Sequence, residues 1–206
     1  MSDGPVLRPP TRWWLIRHAA VETPSGMIVG SLDLPCAPID PGMIDALACR
    51  LPTVSALVIS DLQRCRQTAD ALRAAGAVFP VDPVIEPALR EQNLGLWQGG
   101  NWNDPAFGND PVAVSFWNDP VATRPPGGES FSDVVARVRI AMNDLNIAYE
   151  GKDILAVMHA GSIRAALAVA LDVSPSAALR FGVDYLSLTR LTAYGDDAWS
   201  VDSVNG

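Results

Sequence analysis

The chain has two histidines, and both follow apolar runs: Trp13-Trp14-Leu15-Ile16 leads into Arg17-His18, and Ile154-Leu155-Ala156-Val157-Met158 leads into His159. Runs of this length and type read as buried strands. A third run, Ala56-Leu57-Val58-Ile59, ends at Ser60 and is followed by Arg64. In open α/β sheets ligands bind beyond the C-terminal strand tips, and parallel strands share that end. Imidazoles and arginines placed at these tips can therefore converge on one crevice. The turn Ala160-Gly161-Ser162 brings a helix N-terminus there as well, and its free N–H groups favour an anion. For either histidine taken singly, the alternative is a hydrogen-bonded imidazole beside a solvated arginine at a strand edge.

The residue types narrow the chemistry. A zinc site needs three or four protein ligands, and the sequence has no His-x-His, no His-Glu-x-x-His and no Cys-x-x-Cys. The Gly-x-Ser-x-Gly nucleophile elbow of a serine hydrolase is also missing. A histidine flanked by arginine and a helix N-terminus suits a phosphoryl group instead. Guanidinium groups bind its oxygens bidentately, and a neutral imidazole nitrogen can attack phosphorus.

These residues need a frame that holds the strand tips together. Residues 1–12, rich in proline, read as a flexible arm. Residues 13–206 read as one domain. After the opening strand, residues 20–40 form a Pro/Gly/Ser-rich ordered loop. A helix begins at Pro41 with Asp40 as N-cap and carries Ile44, Leu47, Ala48 and Leu51 at helical spacing. Ser60 is expected to open a second helix that stops at Gly76. A strand is expected within 78–84, and residues 92–128 form a loop-rich stretch holding Trp97, Trp102 and Trp117. A helix over about 130–149 leads to the strand before His159 and to the helix after it. "YLSLTRLTAY" and "AWSVDSVN" alternate as late strands. Strands alternating with helices predict an α/β fold, a three-layer α/β/α sandwich with a largely parallel central sheet.

Composition bounds the partners. The 206 residues are 49% hydrophobic and 18% charged, which is globular and lean in charge. A net charge of −8 argues against nucleic acid held on a broad basic surface. It leaves room for an anionic substrate gripped locally by arginines. No signal-peptide core precedes Trp13, and no apolar run approaches the roughly 18 residues of a membrane span. Cys36, Cys49 and Cys65 suggest no disulfide framework, so a reducing cytoplasm is the simplest location. The oligomeric state, a homodimer included, is left open.

Five blocks in order give a resemblance. "IRHAA", "SDLQRCRQTA" at 60–69, "LREQNLGLWQG", "PPGGESF" and "MHAGSIRAALA" resemble the motifs of the histidine phosphatase superfamily, also called phosphoglycerate mutase-like. They span residues 13–170, and the flavour is that of bacterial α-ribazole phosphatase-like members. The resemblance implies the phosphoglycerate mutase-like fold and a phosphatase acting on a small-molecule phosphomonoester, with no metal and no cofactor. It implies His18 as the nucleophile that forms a phosphohistidine. Arg17, Arg64 and His159 would hold the phosphoryl oxygens, and Glu91 would be the general acid and then the base. A phosphoglycerate mutase-type transfer and a non-catalytic phosphate-binding protein are the alternatives.

Other readings compete at single residues. Glu91 could be half of a surface ion pair with Arg90. Arg66, Arg73 and Arg164 read as structural or solvated, Cys65 as a buried helix residue, and the tryptophans as core or lid packing rather than a base-stacking platform. Ala19 and Ala160 stand where the family has glycine, so a methyl could crowd the phosphate. The family's usual Asn and Arg after the first motif are replaced around Thr23 to Met27.

Overall fold

The computed structural model describes residues 9–195 and 198–206. The arm expected over 1–12 falls mainly outside these residues. Its last two members, Thr11 and Arg12, are instead strand, because they continue the ladder against the neighbouring strand and Arg12 pairs with Asp153.

Six strands form one sheet: β1 (Thr11–Arg17), β2 (Ala56–Ile59), β3 (Val84–Ile85), β4 (Asp153–Met158), β5 (Leu188–Ala193) and β6 (Trp199–Ser203). Their order is β3-β2-β4-β1-β5-β6. The β1–β4, β2–β4 and β2–β3 pairs are parallel, and β5 and β6 add an antiparallel edge. The expected sandwich with a largely parallel sheet is what the chain builds. The tips of β1, β2 and β4 therefore emerge together, and their register sets Arg17 opposite Met158.

The period-two alternation of the strands feeds two apolar layers. Trp13, Leu15, Val58, Ile154 and Ala156 point to the side covered by α5 (Phe131–Ala148) and α6 (Ala160–Leu171). Ile16, Leu57, Ile59, Leu155 and Val157 point to the side covered by α1 (Pro41–Ala48) and α2 (Gln63–Ala74). Asp40 caps α1 as expected, accepting the Met43 amide at 3.0 Å. Ser130 and Asp133 form a reciprocal capping box on α5.

Several expectations are corrected. Helix α2 starts at Gln63 and not at Ser60, because the Ser60 hydroxyl is engaged by His159. The strand expected within 78–84 shrinks to Val84–Ile85, and Pro80 and Pro83 interrupt what precedes it. The stretch 92–128 contains two short helices, α3 (Pro105–Gly108) and α4 (Pro111–Asn118), each begun by an Asp cap and a proline. A further short helix, α7 (Pro175–Ala178), follows α6. Among the described residues, no helix is long and apolar enough to cross a membrane.

Candidate active site

His18 sits at the tip of β1 with 4% of its surface exposed. Its Nδ1 lies 2.6 Å from the carbonyl oxygen of Ala19. A carbonyl only accepts, so Nδ1 carries the proton and Nε2 keeps the lone pair. Arg64 Nε donates to that Nε2 at 3.2 Å, which requires the same tautomer. Burial pushes the ring pKa down to about 3, helped by the nearby charges of Arg64 and Arg17 and opposed by the Ala19 hydrogen bond. His18 is thus a neutral imidazole with a directed lone pair.

Arg64, on the first turn of α2, is 1% exposed and has no carboxylate within ion-pair distance among the described residues. Its Nε also faces His159 Nδ1 at 3.3 Å, and its Nη1 and Nη2 donate to the carbonyls of Leu32 and Gly30 at 2.6 and 3.0 Å. One guanidinium therefore ties both imidazoles to the loop after β1. His159, at the tip of β4, is fully buried, with its ring 4.8 Å from that of His18. Its Nε2 donates to Ser60 Oγ at 2.7 Å, and Ser60 in turn donates to Cys65 Sγ at 3.1 Å. Burial, and then the neighbouring His18, Arg64, Arg137 and Arg17, hold its pKa well below the ordinary value. Burial pushes the Cys65 thiol up to about 12, which fits its reading as an inert helix residue.

Arg17 is half-buried, and its guanidinium lies 3.6 Å over the ring of Tyr185 while Nη1 donates to the Val183 carbonyl at 2.7 Å. Its Nε is buried without a hydrogen-bond partner. The same Tyr185 ring stands 5.5 Å from the ring of His18. Tyr185 is a site residue that sequence reasoning missed. It sits in a loop before β5, next to Leu186 at φ 59, with no motif to mark it.

Glu91 does not pair with Arg90, which binds Asp61. Its Oε1 instead accepts the amides of Gln92 and Gly161 at 2.9 and 3.0 Å, with Oε2 3.3 Å from the Gly161 amide. The N-terminus of α6 thus meets the protein's own carboxylate. Position 161 needs glycine for this contact, since a Cβ there would overlap Oε1.

The segment carrying Glu91 is pinned from behind. Glu129 accepts the Asn93 amide at 2.8 Å, and Arg137 bridges Glu129 at 2.9 Å to the carbonyls of Ala88, Arg90 and Glu91. At Gly95, with φ 57, a Cβ would collide with the backbone of Pro126–Gly128, so the "GLW" and "PPGG" turns pack backbone to backbone. Arg137 also escaped the sequence reading, whereas Glu129 and Asp104 are the carboxylates of the 99–129 loop that the sequence offers in place of Glu91 as the acid. Asp104, in contrast, only caps α3.

Neither Ala19 nor Ala160 has the positive φ that would demand glycine. The Ala19 amide donates to Thr68 Oγ1 at 2.9 Å. Arg66 is exposed, Arg73 pairs with Asp70, and Arg164 is half-buried with Nε on the Phe181 carbonyl at 2.9 Å. Trp97 and Phe116 form a small core of their own with Ile28 and Ala113, joined by Trp102, while Trp117 is 61% exposed. In the replaced segment, Met27 bridges to Asn101 and carries no charge into the site. Among the described residues, no group of three or more His, Cys, Asp or Glu side chains is arranged to hold a metal ion.

The site can thus present a lone pair on His18, guanidinium donors from Arg17 and Arg64, and the Glu91 carboxylate held on the α6 N-terminus. A "bifunctional protein" of Mycobacterium tuberculosis is 37% identical over 152 residues, which cover 74% of this chain and 41% of that protein. The chain thus matches about two-fifths of that relative's length. The mycobacterial glucosyl-3-phosphoglycerate phosphatase superposes with a TM-score of 0.80 at 26% identity, covering 96% of this chain and 99% of the other. The α-ribazole phosphatase of Shigella flexneri shares the fold, with a TM-score of 0.81 at 21% identity over 95% of this chain and 96% of its own. The model of the histidine phosphatase superfamily, branch 1, matches residues 13–206, and the chain belongs to that family.

Proposed function

We propose that this chain is a metal-independent phosphatase that hydrolyses a small-molecule phosphomonoester through a phosphohistidine on His18. The observation that carries the reading is the fixed tautomer of His18. The Ala19 carbonyl holds the Nδ1 proton, burial keeps the ring neutral, and Nε2 faces the Arg64 guanidinium. A nucleophile for phosphorus needs this state, with its lone pair in a positively charged pocket.

Nε2 attacks phosphorus in line as the ester P–O bond breaks. Arg17 Nε, which lacks a partner, and the donors of Arg64 take up the charge on the equatorial oxygens. His159 becomes a donor by gaining a proton at Nδ1, a change the arriving phosphoryl dianion favours. Glu91 gives a proton to the leaving oxygen. As a carboxylate it then accepts a proton from the water that attacks the phosphohistidine, releasing phosphate and restoring His18.

Acid-labile, base-stable labelling from a ³²P-labelled ester, quenched within the first turnover, tests the reading. The label is expected in the wild type and lost in His18→Ala. Labelling that persists in His18→Ala would assign the nucleophile elsewhere.

A further inference from the structure

Of the described arginines that are buried or half-buried, Arg73 and Arg137 pair with Asp70 and Glu129, whereas Arg17, Arg64, Arg164 and Arg190 have no carboxylate partner. Arg190 donates to Ser203 and lies over the Trp14 ring. Arg17 and Arg64 serve the phosphoryl side. Arg164 has no such assignment. It projects from α6 beside Gly161, and its single hydrogen bond runs from Nε to the Phe181 carbonyl. That anchor fixes the plane of the guanidinium and leaves both Nη groups free. Burial lowers its pKa, with Glu91 opposing and Arg17 adding to the effect, so it lies within electrostatic range of both. A half-buried guanidinium without a counter-charge is held at a desolvation cost that an incoming anion would relieve.

Arg164 opens into a cavity of about 230 Å³ that also has Glu91 in its wall. Leu94, Trp102, Phe131 and Leu179 supply apolar surface there. The cavity adjoins the loop that holds Arg64, because Gly30 lines it and its carbonyl accepts from Arg64 Nη2. A leaving group that receives its proton from Glu91 has this space in front of it.

Resting on the phosphatase reading, we propose that Arg164 selects phosphomonoesters whose leaving group carries a carboxylate on a largely apolar body. A single guanidinium fork matches one planar carboxylate. A second phosphoryl group would bring a second negative charge beside Glu91 with no cation to meet it. The Trp102 ring and the side chains of Leu94 and Leu179 suit an aromatic or aliphatic frame rather than a polyhydroxylated one.

Phenyl phosphate and its 3- and 4-carboxyphenyl analogues test this, read as the ratio of kcat/KM for each carboxylated ester over phenyl phosphate. Wild type is expected to favour at least one carboxylated ester. Arg164→Ala and the bulkier Arg164→Met should both lower that ratio about tenfold or more, mainly through KM, as expected for a lost charge-assisted hydrogen bond. A ratio unchanged in either folded variant overturns the proposal. So does a wild type with no preference. Calorimetric binding of the same esters separates this from the phosphatase reading. If none is turned over, tighter binding of a carboxylated ester that Arg164→Met abolishes keeps the assignment of Arg164 and removes only the hydrolysis. Equal binding of all three esters sinks the proposal.

Discussion

The Glu91 carboxylate and the Gly161 amide meet at 3.0 Å, with no room for a Cβ at position 161. Gly161→Ala should therefore push Glu91 off the α6 N-terminus without touching His18 or Arg64. The expected outcome is a loss of roughly 10²-fold in kcat/KM for an alkyl phosphate, the low end for a displaced general acid. Inhibition by orthophosphate should be weakened far less. A variant that hydrolyses alkyl phosphates at the wild-type rate would show that Glu91 does not need this anchor.

Glu91→Gln removes the proton and nearly keeps the shape. Rapid-quench phosphorylation by an alkyl phosphate should fall about 10²–10⁴-fold, whereas an activated aryl phosphate, which needs little protonation, should be largely spared. Equal losses on both would remove Glu91 as the leaving-group acid. Glu129 is a poor substitute, since it is committed to Asn93 and Arg137.

Tyr185 holds Arg17 through the face of its ring. Tyr185→Ala should raise KM for an aryl phosphate by roughly threefold to thirtyfold, the range of a cation–π contact, with a smaller effect on kcat. Tyr185→Phe keeps the ring and should restore most of the loss. Failure of phenylalanine to do so would point to the hydroxyl rather than to the ring.

Arg64→Lys should fail although it keeps the charge, because one ammonium cannot serve two imidazoles and the carbonyls of Leu32 and Gly30 together. A loss on the order of 2–4 kcal/mol in kcat/KM is expected, the scale for a preorganised donor. Near-normal turnover in the lysine variant would place Arg64 outside the reaction.

The histidines also set a pH dependence of stability. His18 has a pKa of about 3 in the fold against 6.5 unfolded, and His159 is shifted in the same direction. Between those values the unfolded chain binds more protons than the native one, so stability rises with pH. Each buried histidine should remove up to about 1.4 kcal/mol per pH unit as pH falls below 6.5. The ion-paired Asp61, Asp133 and Asp153 have lowered pKa values and act only at more acid pH. Urea unfolding at pH 7, 6 and 5 should show the slope, flattened in His159→Phe. A flat profile in the wild type would contradict neutral buried rings.

The strand tips were readable because apolar runs ending in a histidine encode both the strand and its boundary. Less readable was what one side chain takes from another. Ser60 has the composition of a helix cap, yet its hydroxyl goes to His159 and α2 begins later. Glu91 beside Arg90 looks like an ion pair, but Asp61 claims that arginine and frees the carboxylate for Gly161. Tyr185 lies more than 160 positions from the residues it touches, and no local period reports such a contact. The antiparallel β5 and β6 alternate much as parallel edge strands would, so their direction comes only from pairing.

The small aromatic core around Trp97 and Phe116 is separate from the two layers that clamp the sheet. Leu94 and Trp102, which wall the cavity beside Arg164, pack on this core and not on the layers beneath the histidines. Selection can therefore rework one wall of the chamber while the machinery at the strand tips is inherited intact, whereas the opposite wall, with Phe131, Arg164 and Leu179, is tied to the layer that carries α5 and α6. Diversification of substrate in such a chain can begin with drift in an outlying module.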